Sequence, residues 1–243
     1  FKKYIFITRV YHPLFCQQLG PFSRFEKLLN NHDLVNAVLQ LLNKKYSRFT
    51  FSINNYSKSI FQRSIVTHAD LSCLERINLE LDLSKKHEQL YTNYSTNTKR
   101  NLKSNDHFHI KNIDKTGLFV DLFKKHVGVK VGLKSNHYLI IQNLINVCLE
   151  KGIGILQAYY NADNILLGGL FVINTLNRHI LLFNFSNQTQ GNVSSMSHLI
   201  NAHIKVHCQT NAVLDFEGSS FLGVQRFYKG FGAVEKNYIH ITK

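Results

Sequence analysis

Three strand-length apolar segments, joined by short polar turns, constrain the fold of this chain more than any other feature. They span residues 153–160, 165–173 and 179–185, with turns at 161–164 and 175–177. The turns are rich in Asn and Asp, which favour hairpin connections. Because strands joined by such short loops pair antiparallel, we predict a three-stranded meander.

Helices and further strands surround this meander. Before it we predict a strand over 107–113, a helix that Asp114 caps and a helix that ends at Gly152. After it come a helix over 192–207, a strand over 213–216, a helix over 223–229 and a strand over 238–242. This order predicts an α+β fold with a mixed sheet.

The first hundred residues carry weaker periodic patterns. We predict strands over 4–10, 48–53 and 63–68 and a helix over 33–46. Apolar and polar residues alternate strictly over 77–83, which indicates a strand with one buried face. A single polar helix is expected from residue 84 to about residue 104.

Composition indicates a globular protein with an excess of positive charge. The 243 residues are 44% hydrophobic and 18% charged, enough for one large domain or two small ones. The net charge of +14 favours polyanionic partners such as tRNA, nucleotides, phosphorylated cofactors or anionic lipids. Scattered lysines on a solvated surface are the alternative explanation.

No segment approaches the roughly 18–20 apolar residues that a membrane helix requires. The four cysteines stand far apart in sequence, at Cys16, Cys73, Cys148 and Cys208. Such spacing favours reduced thiols over a disulfide framework or a zinc site. We therefore expect a cytoplasmic protein without a transmembrane segment.

Two stretches resemble the Fem-type aminoacyltransferases and their acetyltransferase-like relatives. The first, YSTNTKRNLK at 94–103, is similar to the basic helix that precedes the acyltransferase domain in that family. The second, LDFEGS at 214–219 followed by GVQRFYKGFG at 223–232, is similar to the family's strand–loop–helix motif. The resemblance implies the GNAT N-acyltransferase fold in two halves, an incomplete one at 1–83 and an acyltransferase domain at 84–243.

The resemblance leaves the acyl donor open between acyl-CoA and aminoacyl-tRNA. GNAT enzymes that use acyl-CoA hold its pyrophosphate on a Q/R-x-x-G-x-G/A loop at a helix N-terminus. Gln188 and Gly191 fit this pattern, but Val193 occupies the last small position and would obstruct a close backbone approach. We assign Gln188, Gly191, Asn192, Ser194 and Arg226 to donor binding.

Three residues of the second motif are candidates for catalysis. Glu217, at the end of a short strand, could orient or deprotonate the amine, or else stabilise the loop. Lys229 could stabilise developing negative charge, or lie with Arg226 on a solvated basic face. Tyr228 could donate to an oxyanion or be an ordinary half-buried tyrosine. Asp215 lies within the strand, so we predict that hydrogen bonds satisfy it.

The remaining assignments concern the acceptor and metals. We assign six residues to substrate or phosphate binding: Lys99, Arg100, Lys103, Gln17, Gln18 and Ser219. A plain solvent-exposed face is the alternative for the three basic residues. His107 and His109 alternate on a predicted strand, but we predict no metal site.

Together these patterns predict an N-acyltransferase that works by direct attack of an amine on the donor. The acceptor would be a small-molecule or peptide amine, and tRNA is a candidate partner. The donor would lie between strands 179–185 and 213–216. A Fem-like peptidyl or lipid transferase, or a non-catalytic basic protein with the same fold, are the alternatives. The sequence does not determine the oligomeric state.

Overall fold

The structure is a computed structural model that describes residues 2–4, 7–25, 31–103, 108–187, 194–217 and 221–243. Eight α-helices lie in these ranges: α1 His32–Lys45, α2 Lys58–Ile65, α3 His87–Thr92, α4 Thr96–Leu102, α5 Thr116–Phe123, α6 Ser135–Glu150, α7 Ser195–His207 and α8 Leu222–Lys229. Twelve strands lie in the same ranges: β1 Lys2–Tyr4, β2 Ile7–Val10, β3 Arg48–Ile53, β4 Ser72–Arg76, β5 Leu79–Asp82, β6 Phe108–Asn112, β7 Gly154–Asn161, β8 Leu166–Asn174, β9 Arg178–Ser186, β10 Val213–Asp215, β11 Val234–Glu235 and β12 Tyr238–Thr242.

The chain folds into two compact units. The larger unit holds Leu79–Glu217 and Phe221–Val234, and the smaller holds the chain up to Asn78 together with Glu235–Lys243. The predicted division into 1–83 and 84–243 concerned two related GNAT-like halves. This division by contacts does not test that relationship, so it stays a prediction.

The smaller unit has a five-stranded sheet in the order β1-β2-β3-β12-β4. Its C-terminal strand β12 lies between β3 and β4 and is antiparallel to both. Helices α1 and α2 supply Val35, Leu39, Ile60, Phe61 and Ile65 to its apolar core. We predicted β12 as the last element of the fold that begins at residue 107. It is instead an inner strand in the sheet of the smaller unit.

Three predicted elements in the N-terminal part of the chain are wrong. The predicted strand over 4–10 is two strands, β1 and β2, which pair antiparallel with Tyr4 opposite Ile7. The predicted strand over 63–68 is the end of α2, because Ile60, Phe61, Ser64 and Ile65 recur at helical spacing and are all buried. The predicted single helix over 84–104 is two short helices. The helical conformation is interrupted between them, and Ser95 caps α4 by accepting a hydrogen bond from the Thr98 amide.

The larger unit has a seven-stranded sheet in the order β11-β5-β10-β9-β8-β7-β6. Strands β6 to β9 form an antiparallel meander, which confirms the pairing predicted for the three central segments. Strand β10 is parallel to β9, and β5 is antiparallel to β10. The sheet is therefore mixed, as predicted.

Two adjacent glycines on β8 let helices approach both faces of this sheet. A Cβ atom at Gly168 would lie 2.7 Å from the Ser195 hydroxyl on α7, and one at Gly169 would lie 2.6 Å from the Phe185 ring and 2.8 Å from the Phe119 ring. Consecutive residues of a strand face opposite sides of the sheet. Helix α7 therefore covers one face, and α5 covers the other.

Candidate active site

The sheet of the larger unit opens between β9 and β10. The two strands pair over only three residues, because Val213–Asp215 lies opposite Arg178–Ile180 and β10 then ends. Strand β9 continues to Ser186. Among the described residues, no strand pairs with this part of β9 on the side of β10. An edge of this kind can accept an extended ligand.

A β-bulge lies at the start of the free part of β9, which is residues 181–186, the part that does not pair with β10. Phe171 pairs with Phe183 and Val172 pairs with Leu181, so Leu182 is an extra residue on β9. A bulge bends its strand and increases the local twist, which ends regular pairing. The bulge therefore explains why β9 and β10 part immediately after Ile180.

A partly buried ion-pair network holds the paired ends of these strands. The Arg178 guanidinium donates to Glu80 on β5 at 2.9 Å and to Asp215 on β10 at 2.5 Å. Burial lowers the pKa of Arg178, but the hydrogen bond to Glu80 and the charge of Asp215 outweigh it, and the net shift is upward. The guanidinium therefore stays charged and joins β5, β9 and β10.

Asp215 also fixes the turn that carries Glu217. Its second carboxylate oxygen accepts a hydrogen bond from the Glu217 amide at 2.8 Å. This confirms the prediction that hydrogen bonds satisfy Asp215. Glu217 itself has a φ of 55°, in the left-handed region that non-glycine residues rarely adopt. The hydrogen bond from its amide to Asp215 thus holds the backbone of Glu217 in a strained conformation.

The carboxyl group of Glu217 titrates far from its ordinary range. Burial raises its pKa to about 8, and the negative charge of Asp215 adds to the effect. A carboxyl group with a pKa near neutral pH can accept and release a proton under physiological conditions. The structure thus gives Glu217 an electrostatic property suited to a general base.

The Tyr228 hydroxyl contacts β9 beyond the segment paired with β10, and it interacts electrostatically with Glu217. Tyr228 is buried on α8, its ring stacks on Phe216 with centroids 4.8 Å apart, and its oxygen accepts a hydrogen bond from the Asn184 amide on β9 at 3.1 Å. Burial raises its pKa to about 12; the hydrogen bond from Asn184 opposes this shift, and the charge of Glu217 adds to it. The phenol therefore stays protonated and can donate its O–H.

The other assigned residues of this region occupy different positions. Arg226 and Lys229 lie on the exposed face of α8, opposite the buried Tyr228. Ser194 is the N-cap residue of α7, at the helix end where the predicted donor loop would lead. Gln188, Gly191, Asn192 and Ser219 lie outside the described residues. The functional roles of these residues stay predictions.

The basic residues at 99–103 interact mainly with their own segment. The Lys99 ammonium donates to the Thr92 carbonyl at 2.8 Å and lies 5.6 Å from the centroid of the Tyr91 ring. The Arg100 guanidinium donates to Asn97 at 2.6 Å, while Lys103 is exposed at the end of α4. Gln17 and Gln18 hydrogen-bond to each other in the smaller unit. The phosphate-binding role of all these residues stays a prediction.

Sequence reasoning missed several residues that the structure brings into or near the site. Arg178 stands between two polar residues at the start of β9, and Asn184 is a single polar residue between Phe183 and Phe185. No local pattern distinguishes either of them. His179 on β9 also meets His203 and His207 on α7. The spacing of the last two, four residues apart on a predicted helix, was a visible signal for a ligand pair that the prediction of no metal site overlooked.

Structures of known proteins resemble this one over most of the chain. FemX superposes with a TM-score of 0.63 at 12% identity, covering 87% of this chain and 77% of FemX. A tandem GNAT protein from the clavulanic acid biosynthesis pathway has a TM-score of 0.52 at 9% identity, covering 87% and 68%. The chain adopts a GNAT-like fold. This confirms the fold that the motifs implied, and at these identities the likeness shows the GNAT-like fold alone.

A third similar structure is the C-terminal domain of a putative lysylphosphatidylglycerol synthetase from Agrobacterium fabrum. It has a TM-score of 0.55 at 10% identity, over 96% of this chain and 76% of that domain. No protein-family model and no curated protein sequence matches the chain. The GNAT-like fold is therefore established by structure rather than by sequence similarity.

Two other findings bear on the sequence predictions. None of the helices in the described part of the chain has the length and apolar character needed to cross a membrane. None of the four cysteines, all of which lie in the described ranges, forms a disulfide bond.

Proposed function

We propose that this chain is an N-acyltransferase, which transfers an acetyl or aminoacyl group to a primary amine by direct attack. One observation carries the proposal. Where β9 and β10 part, a carboxyl group with a pKa of about 8 interacts electrostatically with a buried phenol that stays protonated. The GNAT-like fold is consistent with this chemistry, although a fold alone does not establish an activity.

In the proposed reaction the amine nitrogen attacks the carbonyl carbon of a thioester or ester. The new C–N bond forms, and the C–S or C–O bond to the donor breaks. The amine loses one proton to the Glu217 carboxylate, which returns it to the leaving thiolate or alkoxide. A tyrosine hydroxyl that already accepts a hydrogen bond from Asn184 can direct its own proton toward the developing oxyanion.

The strained backbone at Glu217 supports a functional role for this side chain. A left-handed conformation costs a non-glycine residue roughly 1–2 kcal/mol. The Asp215 carboxylate stabilises that conformation through the Glu217 amide. A glycine would adopt the same backbone without strain, so the presence of glutamate is better explained by what its carboxyl group does.

For the donor, we favour an aminoacyl ester on tRNA over acyl-CoA. The net charge of +14 favours a polyanion as large as tRNA. One similar structure is named for a lysyl product, which is consistent with an aminoacyl donor. Val193 at the last small position of the donor loop weakens the case for acyl-CoA. The acceptor would be a peptide, lipid-linked or small-molecule amine.

A thermal-shift screen distinguishes the donors. A ligand that binds only the folded protein stabilises it by about 2.7 kcal/mol at ~100 times its dissociation constant. We expect stabilisation by tRNA that falls steeply with salt, and a smaller effect of acyl-CoAs or desulfo-CoA. Stabilisation by acyl-CoAs alone would reverse our choice of donor.

Transfer of a labelled aminoacyl group then tests catalysis. The rate should rise with pH as the Glu217 carboxyl ionises near its pKa of about 8. Glu217→Gln, Tyr228→Phe and Lys229→Ala should each lower the rate, with Glu150→Gln and Lys130→Ala as exposed controls. Unchanged transfer in Glu217→Gln and Lys229→Ala would remove the site assignment. Binding of tRNA without any transfer would favour a non-catalytic binding protein.

A further inference from the structure

Three histidine side chains meet between the start of β9 and the last turns of α7. His203 and His207 lie four residues apart, on one face of the helix, and His179 comes from the strand. The Nδ1 atom of His179 lies 3.0 Å from Nε2 of His203, and the ring centroids are 4.4–5.2 Å apart. One nitrogen of each ring lies within 4.8 Å of the corresponding nitrogens of the other two rings.

This cluster is an unusual way to fill an interior. His179 and His203 are buried, with exposures of 4% and 2%, and His207 is partly buried. Nδ1 of His203 is buried and has no hydrogen-bond partner in the described part of the chain. A buried polar atom without a partner destabilises the fold, because it has lost its hydrogen bonds to water. Apolar side chains at these positions would avoid this cost, so packing alone does not explain three histidines.

We propose that His179, His203 and His207 form a binding site for a zinc ion or a similar late first-row divalent metal. Imidazole nitrogen is a preferred ligand of these ions, and three histidines with one external ligand make a common tetrahedral site. With Zn–N bonds of about 2.0–2.1 Å, tetrahedral ligand atoms stand roughly 3.3 Å apart. The 3.0 Å between Nδ1 of His179 and Nε2 of His203 is close to this value, and the other nitrogen pairs lie within 4.8 Å, so side-chain rotations can bring the three nitrogens to a common centre.

The environment keeps the three rings in the form that binds metals. Burial lowers the pKa of His179 to about 4 and that of His203 to about 3, and it also lowers the pKa of His207. The rings are therefore neutral at neutral pH, and each offers a lone pair. Since the three ligands carry no charge, the ion would favour hydroxide or another anion as its fourth ligand.

A cleft adjoins the cluster at His179. Its volume is about 740 Å³, and His179 forms part of its wall together with Asn174, Asn177 and Thr210. These polar neighbours lie in the β8–β9 turn and just after α7. A binding site for an exchangeable ion requires an entry path.

Metal binding to the 243-residue chain tests the proposal directly. The purified chain is stripped with a chelator, dialysed and titrated with Zn²⁺ alone and with Co²⁺ alone. We expect one high-affinity equivalent per chain by atomic emission spectrometry, and the intense visible bands of tetrahedral Co²⁺. Zn²⁺ should also raise the melting temperature.

Variants assign the binding to these residues. His207→Ala changes the least buried member and is the variant most compatible with folding; His203→Gln is the second. Each should weaken Zn²⁺ binding by about 100-fold or more, whereas His32→Ala, on an exposed helix end, should leave it unchanged. Binding of equal affinity in His207→Ala, or no stoichiometric binding by the wild-type chain, would overturn the proposal. If binding is weak and His32→Ala reduces it as much as His207→Ala does, the ion is bound by surface histidines. That result would also overturn the proposal.

Discussion

Replacing Glu217 by glutamine should make the larger unit more stable at alkaline pH and have little effect in acid. Glutamine keeps the shape of the side chain and the strained backbone, so the substitution removes only the ionisable group. In the wild type, the folded state binds this proton more tightly than the unfolded state does, because burial and Asp215 raise the pKa from its ordinary value of 4.5 to about 8.

The sign and size of the effect follow from proton linkage. Below the ordinary pKa, the carboxyl is protonated in both states and has no effect on stability. As the pH rises from 4.5 to about 8, the unfolded state loses the proton first, so the wild type is progressively destabilised. A rise in pKa of this size lowers the free energy of unfolding of the wild type by about 5 kcal/mol in total. About 4 kcal/mol of this loss develops between pH 5 and pH 9. Since solvent reaches part of the side chain and screens it, we expect a change of about 2–4 kcal/mol.

Urea unfolding of wild type and Glu217→Gln near pH 5 and pH 9, followed by far-ultraviolet circular dichroism, measures this change. Titrating groups that do not interact with Glu217 affect both proteins equally and cancel in the difference. Glu150→Gln, at an exposed helix end, should show no such pH dependence. A stability difference independent of pH, or a wild type that is the more stable protein at pH 9, would refute the assigned environment of Glu217.

Three further substitutions, with Lys58→Met as a control for the first, test local interactions in and around the site. Arg178→Met leaves the buried Asp215 carboxylate without its partner and should cost about 3–5 kcal/mol, whereas Lys58→Met, in an exposed pair, should cost less than about 1 kcal/mol; equal midpoints in urea would contradict this. Gly169→Ala places a methyl group against two aromatic rings and should destabilise by about 1–3 kcal/mol in the same assay. Gly223→Ala meets no atom within 4 Å, so it should stabilise α8 by about 0.5–1 kcal/mol, and a lower melting temperature would contradict that expectation.

Local patterns in the sequence were sufficient to predict the central meander and its mixed sheet. Alternating apolar residues, short turns and helical spacing depend on neighbours in the chain, and the structure confirms them for β7, β8 and β9. The segment 63–68 failed because six residues were too few to show the helical repeat of α2. The long polar segment 84–104 failed because the break at Ser95 is set by capping and not by periodicity.

The sequence by itself also pointed to Glu217 and Tyr228, because they belong to a contiguous motif that resembles a known family. Only the tertiary structure decided their chemical state. The pKa of Glu217 depends on burial and on the charge of Asp215. The pKa of Tyr228 depends on burial and on the hydrogen bond from Asn184, which lies 44 residues away in the sequence.

The meeting of His179 with His203 and His207, and the placement of β12 between β3 and β4, were likewise decided by tertiary structure. Distances between residues far apart in the chain, and the dielectric environment that they create, arise only when the chain is folded. Patterns along the sequence determine which helices and strands form. The electrostatic field at a site is determined by which of these helices and strands pack against it.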